Sequence, residues 1–269
     1  MRVELFDDGI GAVEYISHMG SDLTVVNAAR VSYAKESEFE TTKNSLTDGF
    51  VNFLNEKDKK LINYLAKHNH WSPFGHASLQ FRIKAPIFVA RQLVKHQVGL
   101  VWNEVSRRYV DDKPEFYQPP FWRSRPENSK QGSGGEIVLS DQAEGKTELN
   151  HNYNWHMQSA ERFYDELLDE GVAPEMARMV LPQSVYTEWY WSGTLMAFAR
   201  VCNLRCKSDT QLETQEVANL IATKYNGEIE YISFPDHLKG KYQAHTCAHD
   251  EWGDYKFKTV EAYVKDSLD

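Results

Sequence analysis

Residues 77–109 confine this chain to a fold in which a strand runs directly into a helix. Leu79, Phe81 and Ile83 alternate with Ser78, Gln80 and Arg82, the period-two pattern of a half-buried strand over Ala77 to Ile83. Pro86 follows, where a missing N–H suits the first turn of a helix. From there Ile87, Ala90, Val94 and Val98 recur as one apolar stripe. Gln92, Lys95, His96 and Gly99 fall on another face at i, i+3, i+4 and i+7, with Arg91 alongside Lys95. Like charges four apart destabilise a helix by about 0.2–0.5 kcal/mol per pair, a cost easier to understand if an anion sits over that face.

The same stretch is a cationic island. Between Arg82 and Tyr109 stand Arg82, Lys84, Arg91, Lys95, Arg107 and Arg108, plus His96, against the single carboxylate of Glu104. The 269 residues carry a formal net charge of −9, so everything outside the island amounts to about −14. Either an anion such as phosphate is held there, or acids from elsewhere in the fold balance a solvated face. So acidic a remainder makes general nucleic-acid binding a poor reading, and no stable nucleic-acid partner is expected. No run approaches the ~18 apolar residues of a membrane span, and the first residues lack a signal-peptide pattern. Cys202, Cys206 and Cys247 form no even framework. These features together predict a soluble, cytoplasmic protein in a reduced compartment.

Elsewhere, Arg2 to Phe6 reads as a short strand before an Asp7-Asp8-Gly9 turn, and Gly11 to Met19 has helical spacing at Val13, Ile16 and Met19. Ser21 or Asp22 suits the N-cap of a helix through Ser32. Residues 36–55 read as a loop with one helical turn, and residues 56–69 as a helix with Leu61, Ile62, Leu65 and Ala66 on one face. Residues 102–109 read as a polar loop. Residues 111–145 form a Pro/Gly-rich excursion, an ordered aromatic loop leading to a flexible tip at 130–135. Helices are expected at 146–170 (ended by Gly171), 175–179, 195–204 and 211–225, and a β-prone aromatic segment at 185–191. With no repeat or linker, residues 1–269 are expected to form one domain with a variable tail at 226–269.

No G-x-S-x-G elbow, P-loop or dinucleotide glycine fingerprint is present. His68, His70 and His76 lack accompanying acids or cysteines, and His245, Cys247 and His249 are too tightly spaced, so no metal is expected. Cys202 and Cys206, four apart on one helix, suit burial better than catalysis. Without an evident nucleophile or metal, arginine-based electrostatic activation plus a bound cofactor is the economical reading.

Several blocks, in order, carry a resemblance: Ala28-Ala29-Arg30-Val31-Ser32; His70-x-Ser72-Pro73-Phe74-x-His76; Arg91-Gln92-x-x-Lys95-His96-Gln97; and Asn103-Glu104-x-Ser106-x-Arg108-Tyr109. Downstream come Glu175-x-Ala177-Arg178-x-x-Leu181-Pro182, Tyr186-Thr187, Trp191, Leu204-Arg205 and Gln211-x-Glu213. The sequence resembles the flavin-dependent thymidylate synthases over roughly residues 1–225. The resemblance implies an α/β (α+β) fold, a mixed or antiparallel sheet packed against helices, in a homotetramer whose active sites are shared between subunits. It implies FAD as cofactor, dUMP as substrate, methylenetetrahydrofolate as carbon donor and NADPH as reductant, with no cysteine nucleophile. A relative with another carbon donor or product, and a non-catalytic nucleotide- or RNA-binding protein, are the alternatives.

By the same resemblance, Arg205 and Ser106 fall on catalytic positions, Arg205 favouring the ionised pyrimidine and Ser106 positioning it. Gln92, Lys95, Glu104, Ser106, Arg107, Arg108, Arg178 and Arg205 fall on dUMP-binding positions. Ser32, His70, Ser72, Lys95, His96, Gln97, Glu104, Thr194 and Arg200 fall on FAD-contacting positions. The family signature is Arg-His-Arg, seven residues, then Ser; here it is Lys95-His96-Gln97, eight residues, then Ser106. Lysine loses the guanidinium fork and glutamine loses the charge. Thr194 and Arg200 stand where asparagines are common, and Asp209 where a histidine is.

Overall fold

The computed structural model describes residues 2–43, 50–110, 112–127, 131–137 and 143–222. The expected tail, with His245, Cys247 and His249, lies outside the described residues. In chain order come β1 (Arg2–Glu4), β2 (Ala12–Met19), α1 (Asp22–Arg30), β3 (Glu40–Lys43), β4 (Phe50–Phe53) and α2 (Glu56–Lys67). Next are β5 (Ser78–Pro86), α3 (Ile87–Leu93), β6 (Leu100–Glu104) and α4 (Ala143–Asp169). Last are α5 (Pro174–Ala177), β7 (Tyr186–Thr194), α6 (Leu195–Arg205) and α7 (Leu212–Ala222). Short 3-10 turns lie at Val31–Tyr33, Ser72–His76 and Arg178–Val180.

Five strands pair antiparallel throughout, in the order β1-β2-β5-β7-β6, and the α/β class read from sequence holds. The alternation in β5 does what the pattern dictates. Leu79, Phe81 and Ile83 point inward, joining Trp189 and Trp191 of β7 and Val89, Leu93, Phe198, Val201, Val217 and Ile221 of α3, α6 and α7 in one core. Trp102 of the edge strand β6 stacks on Trp189, ring centres 4.3 Å apart. A second core joins Val25 and Val26 of α1, Ile62 and Leu65 of α2, Phe74 and Met196. Ser21 caps α1 with a reciprocal box, accepting from the Thr24 amide while the Thr24 hydroxyl accepts from the Ser21 amide. Cys202 and Cys206 are buried and unbridged.

The structure departs from the sequence reading in four places. Residues 12–19, with helical spacing, form β2, whose register against β5 slips between Tyr15 and Ser17. The extra residue there, Ile16, breaks the period of two and counterfeits a helical one, leaving Val13 2% exposed and Met19 62% exposed. Part of the expected loop at 36–55 is the β3–β4 hairpin. The helix from Ile87 stops at Leu93 rather than carrying the stripe to Val98, because the chain must turn back to lay β6 along β7. Val98 is accordingly exposed, and Leu100–Glu104, partly read as loop, is an edge strand. Finally, the described part of the 130–135 tip is tied down: the Gly134 amide donates to the Ser124 carbonyl at 2.8 Å and Arg123 Nε to Ser133 Oγ at 2.7 Å.

Candidate active site

The cationic island divides. Arg82 pairs with Glu188 at 2.8 Å and Lys84 with Glu115 at 2.5 Å, so these two cations are balanced within the fold. Arg91, Lys95, Arg107 and Arg108 make no ion pair among the described residues.

The turn after α3 lies along α6 and joins two ends of a site. At one end His96 and Gln92 meet Arg205 in the last turn of α6. Arg205 Nε donates to His96 Nε2 at 3.0 Å and Nη2 to the Gln92 carbonyl at 3.4 Å. A guanidinium only donates, so His96 Nε2 must accept, and the imidazole is neutral with its proton on Nδ1. Burial first, and then the Arg205 charge, hold the His96 pKa below its ordinary value, and burial lowers that of Arg205. At the other end Gly99, at φ +77°, accepts from the Thr194 amide at 3.1 Å. A Cβ on Gly99 would sit 3.1 Å from Ala197 and 3.2 Å from the Thr194 hydroxyl, so the close approach suits glycine. The Leu195 amide donates to the Ala77 carbonyl at 2.8 Å, which brings the 72–76 turn to the same N-terminus of α6. The blocks containing Ser72, Gln97 and Thr194 therefore converge, and the Thr194 side chain caps α6 by accepting from the Ala197 amide at 3.2 Å.

Glu104 ends β6 with both oxygens engaged: Thr187 Oγ1 donates to Oε1 at 2.8 Å and Trp102 Nε1 to Oε2 at 3.0 Å. Ser106 Oγ accepts from the Arg108 amide and Nε, each at 3.4 Å, and no general base among the described residues bonds to it. Arg107 donates to the Asp112 carbonyl at 2.8 Å and lies 5.8 Å from the Tyr164 ring of α4. Arg178, exposed, donates to the Glu175 carbonyl at 3.3 Å in a turn that also packs on α4. Neither Arg178 nor Arg200 is bonded to the Arg205 cluster, nor are Lys95 and Gln97, which are exposed.

Ser32, His70 and Ser72 are exposed on the second core's side of the molecule. His68 and His70 pack around Tyr64, with ring centres 4.3 and 5.8 Å from it, and Trp71 beside them is 56% exposed. A cavity of about 500 Å³ lined by Ser21, Thr24, Asn27, Ala28, Val31 and His76 lies where α1 meets the 72–76 turn. An exposed aromatic shelf, a cavity within the ~300–1,000 Å³ range of ligand pockets, and the hydroxyl and imidazole groups of Ser21, Thr24 and His76 in its lining suit a flavin nucleotide.

Residues 14–228 match the family described as thymidylate synthase complementing protein. The flavin-dependent thymidylate synthase of Thermosipho africanus is 36% identical over 243 residues, covering 90% of this chain and 96% of the relative. That of Thermus thermophilus is 37% identical over 230 residues, covering 85% and 77% respectively. The chain belongs to the flavin-dependent thymidylate synthase family. A crystallised UMP/dUMP methylase from Streptomyces cacaoi, bound with 5-Br dUMP, aligns with TM-score 0.63 and 30% identity over 80% of this chain and 89% of that one.

Reading the sequence as a member of this family assigned no role to Glu213, Gln211, Tyr117 or Arg123. Glu213 is 3% exposed and bound through both oxygens by Arg123 at 2.7 and 2.9 Å. The signal available was the Gln211-x-Glu213 block opening a helix that carries Val217, Ala218 and Ile221 into the core, where a buried acid requires a partner.

Proposed function

We propose that the chain catalyses reductive C5 methylation of dUMP to dTMP, with methylenetetrahydrofolate as carbon donor and NADPH as reductant of bound FAD. It works as a cytoplasmic homotetramer with active sites shared between subunits. The observation that carries this reading is Arg205: a partly buried guanidinium held by a neutral His96 and a backbone carbonyl, with further N–H groups to offer. A fixed cation at the pyrimidine favours the ionised N3 form and makes C5 nucleophilic without a covalent enzyme adduct. Gln92, Lys95, Glu104, Ser106, Arg107, Arg108 and Arg178 bind and orient dUMP, the exposed arginines taking its phosphate. Ser32, His70, Ser72, Lys95, His96, Gln97, Glu104, Thr194 and Arg200 hold FAD, Arg200 replacing the cation that Gln97 lacks. Bound FAD supplies the hydride relay between NADPH and the nascent methyl group.

The test is the visible spectrum of the purified protein, its bleaching by NADPH with and without dUMP, and the product mass after folate donor is added. Yellow protein yielding dTMP is expected; a colourless protein that cannot take up FAD would sink the proposal. Likeness to a UMP/dUMP methylase favours a second reading, that UMP is also accepted. Comparing turnover of UMP and dUMP decides it, and an inert UMP removes that reading.

A further inference from the structure

Glu213, Tyr117 and Arg123 have no part in the chemistry above, yet they meet beside Gln211, which bonds to Gln92. Glu213 lies at the start of α7, nearly inaccessible to water. Arg123 Nη2 donates to Oε1 and Oε2 at 2.7 and 2.9 Å, and the Tyr117 hydroxyl donates to Oε1 at 3.2 Å. Gln211 Nε2 donates to Oε2 at 3.1 Å, and Gln92 Nε2 in turn donates to Gln211 Oε1. The Gln92 backbone carbonyl is the one that accepts from Arg205.

The polarity of this chain is not free. An ion-paired carboxylate only accepts, so Gln211 must turn its amide nitrogen to Glu213 and its oxygen to Gln92. Gln92 must then meet that oxygen with its own nitrogen, which leaves Oε1 as its acceptor for a ligand. Resting on the dUMP reading, we propose that Glu213, locked by Arg123, acts through Gln211 as a positioning residue. It fixes the Gln92 amide so that the site reads a hydrogen-bond donor on the nucleotide, a sugar hydroxyl, the imide proton being the one whose loss Arg205 favours. Arg123 and Tyr117 thereby set nucleotide selectivity without touching the nucleotide.

The test is Q211M, which cuts the relay and leaves the Arg123–Glu213 pair in place. Calorimetry on the FAD-loaded enzyme measures binding of dUMP, of N3-methyl-dUMP and of 2′,3′-dideoxy-UMP, each analogue lacking one donor. Wild type should bind the analogue that lacks the read donor about 10-fold more weakly than dUMP. In Q211M, dUMP binding should weaken about 5- to 10-fold and that preference collapse to within about twofold, with FAD content and melting temperature retained. E213Q, whose carboxamide no longer dictates polarity, should show the same collapse. Three results overturn the relay while leaving the function intact: wild type binding all three ligands equally, Q211M matching wild type, or Q211M weakening all three in the same ratio. Wild type that holds FAD but binds no dUMP overturns the functional reading and the relay with it.

Discussion

Replacing Arg205 by lysine keeps the charge and removes the geometry, which makes it the sharpest perturbation of this site. The guanidinium is divided among jobs: Nε anchors on His96 at 3.0 Å, Nη2 on the Gln92 carbonyl at 3.4 Å, and the other N–H groups are left for a ligand. A lysine ammonium gathers its donors on one nitrogen and cannot hold both anchors while also facing the pyrimidine. Loss of one fixed donor to developing charge lowers turnover by about 10²- to 10³-fold, or roughly 3–4 kcal/mol. Single-turnover measurement at saturating dUMP should show that loss in the rate, with a smaller change in dUMP affinity, because the interaction strengthens as charge develops. R205A adds an independent readout at His96. Burial remains when the arginine goes but the charge repulsion does not, so the His96 pKa should rise part of the way to its ordinary value, as followed by NMR titration. A depressed histidine contributes stability above its unfolded pKa that is lost as pH falls, so R205A should also lose less stability than wild type on acidification below about pH 6.5. Turnover of R205K within about threefold of wild type would refute the assignment of Arg205.

G193A is expected to destabilise the fold by about 2–3 kcal/mol in urea, with loss of dUMP affinity through detachment of β6. Its new Cβ would lie 2.4 Å from the Gly99 carbonyl oxygen, a backbone atom that cannot step aside, so unchanged stability would contradict the packing. Glu216, pushed up to about 7 by burial and then by Glu213, keeps a proton in the folded state that the unfolded state releases, so its contribution to stability is lost as pH rises toward 7. E216Q should therefore stabilise the fold at pH 8 by about 1–2 kcal/mol after solvent screening, seen as a higher melting temperature there and little change at pH 5. D58N removes the acceptor charge of a buried pair, in which Arg30 Nε lies 3.0 Å from Oδ1, and should cost about 3 kcal/mol in denaturant titration.

Where burial imposes one period on one face, the sequence was legible. β5, α1 with its Ser21 cap, α2 and the Gly171 stop each rest on local chemistry that tertiary contacts reinforce. Legibility failed where a long-range pairing overrides the local pattern. A single extra residue, Ile16, disguised β2, and β6 was hidden because its pairing with β7 depends on residues about ninety positions away. The site followed the same rule. Arg205, His96 and Gln92 were each singled out, but the bonds joining them cross from α3 to α6, and the relay through Gln211 to Glu213 needs α7 as well. Spacing within one helix could not reveal contacts between three.

The same pairing locates the departure from the family signature, the additional residue between Gln97 and Ser106. From Leu100 to Glu104 each β6 residue faces a fixed partner on β7, running from Gly193 to Trp189 without a bulge. A residue added inside that run would flip every side chain beyond it, taking Trp102 off Trp189 or Glu104 off Thr187. The extra length must therefore be absorbed at 98–99 or at Val105. The first lies directly after the Lys95-His96-Gln97 block and the second directly before Ser106. An edge strand whose register is locked on one side thus passes a sequence change to its ends, beside the Lys95-His96-Gln97 block and Ser106. On the proposed function, extra length taken up at 98–99 would join the altered charge at Gln97 in one local rearrangement at the Gly99 turn against Thr194.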